Sequence, residues 1–433
     1  MMKQTKTYNY FSVCVPRLLS RPLRCSLGLS FALYSLLFCA ALLTSCSDDS
    51  GETQSGGRVS LEARFCSTAY EESEAGNMSR TGLTGQEGFL TRSDDDPWTP
   101  PGPYVTYDGL NGRFYNQKSL VKKSIDAFFT QDGQTPMEGT FSYSNSDQSW
   151  HLNMNLETAT YFLYGYIPKE DATSATILPN VSFSNGAVLT INELNTVTPS
   201  DVCVIIGAQN GTAQNNDANA SGRLRAGHFA VSTKATSKDA PAAAGSNYIF
   251  LLFDHLYSSL RFRFSVDAVY AGLRTIKLRQ LELTATDDSG NSIKAKHNVT
   301  ITLLKNDSGT SPIVGEVSFT PVLASTAVPY VPLFDGETEL PVAPTLPTEF
   351  MGCFVPGNNY YFKIRSTYDV YDTKGNLIRE GCQADNAINL REKFGGDLTV
   401  MRGQCYSFDI TVQPTYLYVL SDPDLNDPTV TIN

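Results

Sequence analysis

Short segments in which apolar and polar residues alternate recur through most of this chain. A period of two places successive side chains on opposite faces of a strand, so each segment indicates a strand with one buried face. In residues 360–371, Phe362 and Ile364 fall on one face, and Lys363 and Arg365 fall on the other. Turn residues separate these segments, and long amphipathic helical patterns are scarce. The pattern therefore predicts an all-β protein built from β-sandwiches.

The same criterion predicts strands over residues 59–65, 150–156, 159–167, 202–206, 248–253, 256–266, 278–285, 298–304, 360–371, 377–379 and 406–412. With 433 residues, the chain is too long for one sandwich. Residues 234–247 are rich in Ala, Ser and Lys and have the composition of a linker. We therefore expect two tandem Ig-like β-sandwich domains, one over residues 58–245 and the other over residues 246–433.

The amino terminus carries a targeting signal. Three arginines precede an apolar run over residues 27–43, and residues 43–46 read Leu-Thr-Ser-Cys. The run is slightly short for a spanning helix, and the small residues before Cys46 resemble the lipobox of bacterial lipoproteins. We therefore predict a signal peptide over residues 1–45, acylation of Cys46 by palmitate or a similar chain, and a polar tether over residues 46–57. An uncleaved transmembrane anchor is the alternative.

The net charge limits the partners that this chain can bind. The formal charge is −11 and the isoelectric point is near 4.9, whereas nucleic acids and anionic lipids require a basic footprint. We therefore expect no nucleic-acid partner. Asp48 and Asp49, close behind Cys46, resemble the export signal of Bacteroides-type surface lipoproteins. That resemblance implies a lipid-anchored position on the outer face of the outer membrane.

The cysteines indicate free thiols. Of the 9 in the sequence, three lie in the predicted signal peptide and Cys46 would carry lipid. The folded part therefore keeps five, Cys66, Cys203, Cys353, Cys382 and Cys405. An odd number leaves at least one unpaired. We predict buried free thiols in strands, and one disulfide among the last three is the alternative.

Sequence motifs for catalysis or metal binding are missing. No Gly-x-Ser-x-Gly, phosphate-loop or His-Glu-x-x-His pattern occurs. No Cys-x-x-Cys pair suggests zinc, and the acidic clusters lack the spacing of a calcium loop. The four histidines lie in separate strand-like segments, at His151, His228, His255 and His297. We therefore predict structural histidines, no metal, no cofactor and no enzymatic activity.

One predicted strand stands apart at the start of the folded part. Its alternating apolar residues are Val59, Leu61, Ala63 and Phe65. A stretch rich in Gly, Ser, Asp and Pro follows, so we predict a flexible loop over residues 67–103. Arg80 and Arg92 lie in this loop, where a protease can reach them. The alternative is that both are ordinary solvated arginines.

Three segments resemble the fimbrillin family, the type V pilins of Bacteroides-type bacteria. They are residues 253–258 (Phe-Asp-His-Leu-Tyr-Ser), 161–168 (Tyr-Phe-Leu-Tyr-Gly-Tyr-Ile-Pro) and 368–379 (Tyr-Asp-Val-Tyr-Asp-Thr-Lys-Gly-Asn-Leu-Ile-Arg). The lipobox, the lone strand and the arginine-bearing loop are similar to that family as well. The resemblance implies two transthyretin-like sandwich domains. It also implies that an arginine-specific protease removes the lipidated first strand, and that the subunit then joins other pilin subunits by strand exchange in an adhesive fimbria.

Under that scheme, the first strand covers a sheet edge that would otherwise invite aggregation. The vacated groove would accept an extended segment of the next subunit. The most available donor is the carboxyl-terminal tail, residues 415–433, whose apolar positions include Leu417, Val419, Val430 and Ile432. The alternative role of this tail is the last strand of the second domain. Two other functions remain open: a surface lipoprotein that binds glycans, and a fimbrial anchor or tip adhesin that does not polymerise.

Overall fold

The structure is a computed structural model. It describes residues 60–73, 105–106, 123–144, 149–211, 224–233, 246–293, 295–306, 313–323, 330–343, 347–414 and 428–432. The predicted all-β class is confirmed, since strands dominate these residues. Their helical elements are short: α1 (Ala268–Ala271), α2 (Leu390–Phe394) and a 3₁₀ turn (Lys169–Asp171). Within this part of the chain, no helix has the length and apolar character needed to cross a membrane.

The strands fall into two runs along the chain. The first run is β1 (Ser60–Ser67), β2 (Glu71–Ser73), β3 (Val105–Thr106), β4 (Ile125–Thr130), β5 (Met137–Ser144), β6 (Ser149–Leu152), β7 (Thr160–Ile167), β8 (Ser174–Asn180), β9 (Ser182–Asn195), β10 (Val197–Thr198), β11 (Cys203–Gly211), β12 (Ala230–Ser232) and β13 (Ser246–His255). The second run is β14 (Ser258–Val266), β15 (Arg274–Ala285), β16 (Ala295–Leu304), β17 (Val314–Leu323), β18 (Val331–Glu339), β19 (Thr348–Phe354), β20 (Tyr361–Asp372), β21 (Leu377–Asn389), β22 (Gln404–Pro414) and β23 (Pro428–Ile432).

The first sheet closes on itself. Its strands pair in the order β11, β13, β1, β6, β5, β4 and β7, and β7 pairs in turn with β11. β3 pairs with β1, and β12 pairs with β7. Although β1 is the first described strand of the chain, it is thus an interior member of this sheet, flanked by β13 and β6.

The second sheet has the order β10, β19, β14, β22 and β2, with β23 also paired to β22. β14 follows β13 after two residues, so the β13–β14 stretch passes from the first sheet into the second. Two four-stranded sheets complete the described fold, one ordered β18, β15, β20 and β21 and the other ordered β17, β16, β9 and β8.

Buried side chains form three clusters in the described residues. One lies on a single face of the closed sheet and contains Leu61, Ile125 and Leu251. Alternate residues of the same strands face the sheet that contains β9 and β16, and form the second cluster. The third cluster lies between the sheets of β14 and β20, where the rings of Phe354 and Phe362 have centroids 4.8 Å apart. Side-chain packing between facing sheets is the arrangement expected of β-sandwiches.

Strands from both sides of residue 245 share sheets. β1 pairs with β13 along its whole length, and β9 pairs with β16. The sheets therefore do not part at the predicted boundary between residues 245 and 246. The division into two domains stays a prediction, and the predicted linker falls mostly on residues 234–245, which lie outside the described residues.

The thiol prediction is confirmed. Cys66, Cys203, Cys353, Cys382 and Cys405 are all buried and all free. The alternative of a disulfide among the last three is wrong. Their burial among apolar side chains fits the behaviour of a small hydrophobic residue.

Candidate functional site

The structure describes part of the predicted functional residues. Leu61 and Ala63 lie in β1 and are buried, and Phe65 lies in the same strand. Val430 and Ile432 lie in β23. The other predicted sites lie outside the described residues, namely Cys46, Val59, Arg80, Arg92, Leu417 and Val419.

β1 is paired along both edges. It runs parallel to β13 across eight positions, beginning with Ser60 opposite Ser246, and antiparallel to β6 at two positions. Leu61 and Ala63 are at most 1% exposed and belong to the cluster on one face of the closed sheet. Burial of a leucine side chain contributes about 1.5–3 kcal/mol. β1 therefore forms an integral part of the core of this sheet.

Residues 68–73, which follow β1, also pair with the rest of the fold. β2 runs parallel to β22 of the second sheet, and the Glu71 N–H donates to the Gly403 carbonyl at 2.8 Å. The predicted flexible loop over residues 67–103 is therefore wrong for residues 67–73. Ser67 ends β1, the Thr68 N–H donates to the Phe253 carbonyl, and backbone pairing with β22 orders residues 71–73 despite their polar composition. We name residues 60–73 the bridging segment, because they pass from the first sheet to the second.

A buried polar cluster fixes the middle of the bridging segment. Oδ1 of Asp201 accepts hydrogen bonds from the Tyr70 hydroxyl at 2.7 Å, from His255 Nδ1 at 3.0 Å and from the Cys203 thiol at 3.3 Å. His255 Nε2 donates to the Thr68 carbonyl at 2.8 Å. The Tyr70 ring also stacks on the imidazole, with centroids 3.8 Å apart. We name these five residues the polar cluster.

Asp201 and His255 form a buried ion pair within the polar cluster. Both ring nitrogens of His255 face oxygen acceptors, which favours the doubly protonated imidazole. Burial by itself would lower the pKa of His255, but the charge of Asp201 and its hydrogen bond raise that pKa above its ordinary value. Burial would likewise raise the pKa of Asp201, whereas the charge of His255 and hydrogen bonds from His255 and Tyr70 lower it. The bridging segment supplies outer hydrogen bonds to both members of this pair.

Charged contacts hold the bridging segment on each side of the polar cluster. The carboxylate of Glu72 contacts the guanidinium of Arg261 in β14. The Thr68 hydroxyl donates to Asp254 at 2.8 Å, and Asp254 also pairs with Arg402. Because Arg261 is only 6% exposed, its charge is largely removed from water. A charge in that position needs a close partner.

Within the described part of the chain, Asp201, Cys203 and His255 form the group that could hold a metal ion. One ligand atom of each lies within 4.8 Å of the others, and zinc accepts this mixture of oxygen, sulfur and nitrogen. In the structure the three atoms share hydrogen bonds with one another. Burial also holds the pKa of the Cys203 thiol well above its usual range, which disfavours the thiolate that binds metal. The absence of a metal stays a prediction.

One surface depression has aromatic residues in its lining, but they do not form an exposed platform on which a sugar could stack. This depression has a volume of about 610 Å³, and its lining includes Phe129 and Tyr161. Both side chains are buried, as is Trp150 of β6. Sugar recognition by stacking requires an accessible ring face, which these three side chains do not offer.

The Asp201–His255 pair should make the stability of the fold depend on pH. A raised His255 pKa stabilises the folded form below the ordinary value near 6.5, and this contribution is lost as pH rises through the folded pKa. The lowered Asp201 pKa stabilises the folded form above the ordinary value of 3.8, and this contribution is lost as pH falls through the folded pKa. We expect the pair to contribute fully to folding stability between about pH 4 and 6.5, and less above that window.

This expectation can be checked by thermal unfolding and by proteolysis of the bridging segment at pH 5.5 and 8.5. His255→Gln serves as the control, because it removes the titrating group while keeping a hydrogen-bonding side chain. The native protein should lose more stability than this variant as pH rises. Equal pH dependence in both proteins would show that the Asp201–His255 pair does not set the response.

The carboxyl-terminal tail ends as a strand of its own chain. β23 pairs antiparallel with β22, from Ile410 opposite Ile432 to Pro414 opposite Pro428. The other edge of β22 pairs with β14, so β23 and β2 lie along the same edge of β22. In this structure β23 therefore closes the second sheet, as in the alternative role predicted for the tail. Its role as a donor stays a prediction.

The sequence patterns did not identify the polar cluster. Tyr70 lies in the stretch predicted as a loop, and Asp201 precedes a predicted strand. One signal was present, because Asp254 and His255 interrupt the apolar run of residues 248–253. A polar pair at the end of a buried strand requires hydrogen-bond partners. Only the folded chain shows that these partners are Thr68, Asp201 and Arg402.

No protein-family model matches the sequence, and a search of curated proteins finds no match. Several solved structures are similar to this one. A fimbrial protein from Bacteroides vulgatus is 10% identical with a TM-score of 0.33, over 73% of this chain and 93% of that chain. Two proteins described provisionally as cell adhesion proteins come from Bacteroides uniformis (11% identity, TM-score 0.31, 82% of this chain and 93% of that chain) and Bacteroides fragilis (10%, 0.33, 87% and 97%). Likeness at this level carries no argument about the function of this chain.

Proposed function

We propose that this chain is a structural subunit of a cell-surface fimbria that serves adhesion. It is exported as a lipoprotein and anchored in the outer membrane through a lipid on Cys46. An arginine-specific protease cuts it after Arg80 or Arg92. The processed subunit then joins other pilin subunits by strand exchange.

The position of β1 is the observation that carries this proposal. β1 and β2 are the described strands that precede residue 74, yet β1 occupies an interior position of the closed sheet. A single cut between residues 74 and 104 would therefore separate an interior strand from the protein. All other strands of that sheet would stay covalently joined. An interior strand that one cut can detach is the element that strand exchange requires.

Loss of β1 would leave a groove with the features of a strand acceptor. The edge of β13 over residues 246–253 would lose its backbone partners, and such an edge is a template for strand addition. The cluster that now contains Leu61 and Ala63 would open along the same line. Backbone pairing would give affinity for a new strand, and the emptied side-chain positions would give specificity.

The geometry of the polar cluster supports a non-enzymatic role. A nucleophilic triad places the nucleophile and the acid on opposite nitrogens of the histidine ring. Here Cys203 and Asp201 both meet Nδ1 of His255, while Nε2 faces the Thr68 carbonyl. The thiol is also buried and its pKa is raised. We therefore assign this cluster to structure and not to catalysis.

The double substitution Arg80→Gln and Arg92→Gln should prevent maturation. In native fibres, amino-terminal sequencing should give a start at Thr81 or Ser93, because the cut follows one of these arginines. The double variant should keep the length of the lipidated precursor and form no heat-resistant multimers.

Arg64→Gln is a suitable control for this experiment. Arg64 lies in β1, whose backbone pairs with β13 and lies beside β6, so a protease that needs an extended free chain cannot bind there. This variant should mature normally. A native assembled protein that still begins at acylated Cys46 would contradict the proposal and favour an anchor or a glycan-binding lipoprotein.

A further inference from the structure

The two halves of the bridging segment contact the rest of the protein through different interactions. β1 contributes backbone pairing and buried apolar side chains. Residues 68–72 contribute hydrogen bonds and charge through Thr68, Tyr70 and Glu72. We propose that the second half is a specificity site that recognises an aromatic hydroxyl followed, two residues later, by a carboxylate, and that its ligand is the bridging segment itself, before and after cleavage. This inference rests on the proposed strand exchange.

The first recognition element is the Tyr70 hydroxyl. It donates to Oδ1 of Asp201 at 2.7 Å, and Asp201 is 2% exposed. The ring stacks on His255 and covers the ion pair. A segment without a hydroxyl at this position would cover Asp201 but would not donate the hydrogen bond that Tyr70 gives to its Oδ1. Leaving a buried charged acceptor short of a hydrogen bond is unfavourable, so the site discriminates against such a segment.

The second recognition element is the Glu72 carboxylate. It pairs with Arg261, and the Ser407 hydroxyl also donates to it at 3.2 Å. Arg261 lies in β14 and is 6% exposed. An occupant that covered Arg261 without supplying an anion would remove the Glu72 contact from a buried cation. A carboxylate is therefore favoured at this position.

The two-residue spacing follows from the strand. Residues 70 and 72 lie on one side of the extended backbone and residue 71 on the other. The Glu71 side chain is exposed, while its N–H pairs with the Gly403 carbonyl. Glu71 therefore has the same carboxylate as Glu72 but not the contact of Glu72 with Arg261, so it provides a matched control.

The candidate donor tail does not carry this pair of groups. Its tyrosines are Tyr416 and Tyr418, and the residues two positions beyond them are Tyr418 and Leu420. In the opposite direction along the chain, the residues two positions before these tyrosines are Pro414 and Tyr416. A tail that fills the apolar half thus leaves the polar half unmatched. The released bridging segment should compete with the donor for the groove, with Tyr70 and Glu72 as its determinants.

The test uses the full-length protein after cleavage by an arginine-specific protease and removal of the released piece by size exclusion. Fluorescent synthetic peptides of residues 58–74 are titrated and followed by anisotropy, in the native form and as Tyr70→Phe, Glu72→Gln and Glu71→Gln variants. We expect Tyr70→Phe and Glu72→Gln each to weaken binding by about tenfold or more. Glu71→Gln should stay within about twofold of the native peptide.

The outcomes separate this inference from the proposed function. If all four peptides bind equally, the polar half has no selectivity and the inference is wrong, while strand exchange stands. If cleaved protein takes up no peptide and forms no multimers, both are wrong. An Arg261→Gln protein should lose the difference between the native and Glu72→Gln peptides. Because the peptide series leaves the protein unchanged, the inference stays testable even if that protein variant fails to fold.

Discussion

Deletion of residues 415–433 should abolish fibre formation and leave a folded, processed monomer. The tail is the proposed donor, so each truncated subunit could accept a strand but could not provide one. Mixed with native subunits, it should cap growing fibres and shorten them in proportion to its share. The measurement is the ladder of heat-resistant multimers on gels, together with fibre length by electron microscopy.

Milder substitutions in the tail provide the matched series. Replacing Leu417 or Val419 by Asn should weaken each joint by about 1–3 kcal/mol through lost burial and strand fit. Far-ultraviolet circular dichroism should show an unchanged fold in all variants, since the described strand that the deletion removes is β23, at the edge of β22. Multimers of normal length from the deletion variant would show that the tail is a closing strand and not a donor.

Leu61→Asp should detach β1 before any protease acts. Leu61 is fully buried in the cluster on one face of the closed sheet. The substitution removes its apolar burial and places a carboxylate in that cluster, a combined cost of at least about 4 kcal/mol. We expect an uncleaved precursor with lower stability in urea, a bridging segment open to proteolysis, and multimers or aggregates without maturation.

Glu71→Gln is the control for Leu61→Asp because it changes an exposed side chain of the same segment. Its effect on stability should stay within about 0.5 kcal/mol. A Leu61→Asp precursor as stable and as protease-resistant as the native protein would mean that β1 contributes little to the sheet, which would remove the physical basis of the proposed exchange.

Local sequence signals predicted the elements that depend on local interactions. The hairpin of β20 and β21 is an example, because Asp372 accepts from the backbone N–H groups of Lys374 and Asn376 and Gly375 has φ +82°. A glycine tolerates that conformation without strain. The alternation of residues 360–371 likewise places Phe362 and Ile364 in the core.

Other features depend on contacts between distant residues and could not be predicted in this way. The predicted strands do not include β9. Its Gly186, with φ +126°, lies where the backbone of Leu303 comes too close for a side chain. The polar cluster joins Tyr70 and Asp201, which are 131 residues apart. Neither pairing leaves a periodic signature in the sequence.

The direction in which β1 runs has a thermodynamic consequence. It is parallel to β13 over eight positions and antiparallel to β6 over two, and parallel pairing is slightly less stable per residue. A donor strand that runs in the opposite direction to β1 would make the long pairing with β13 antiparallel, which is more stable. Only the short pairing with β6 would become parallel. That difference would favour each strand addition slightly. Under the proposed exchange, part of the driving force for assembly would thus be stored in the parallel orientation of β1.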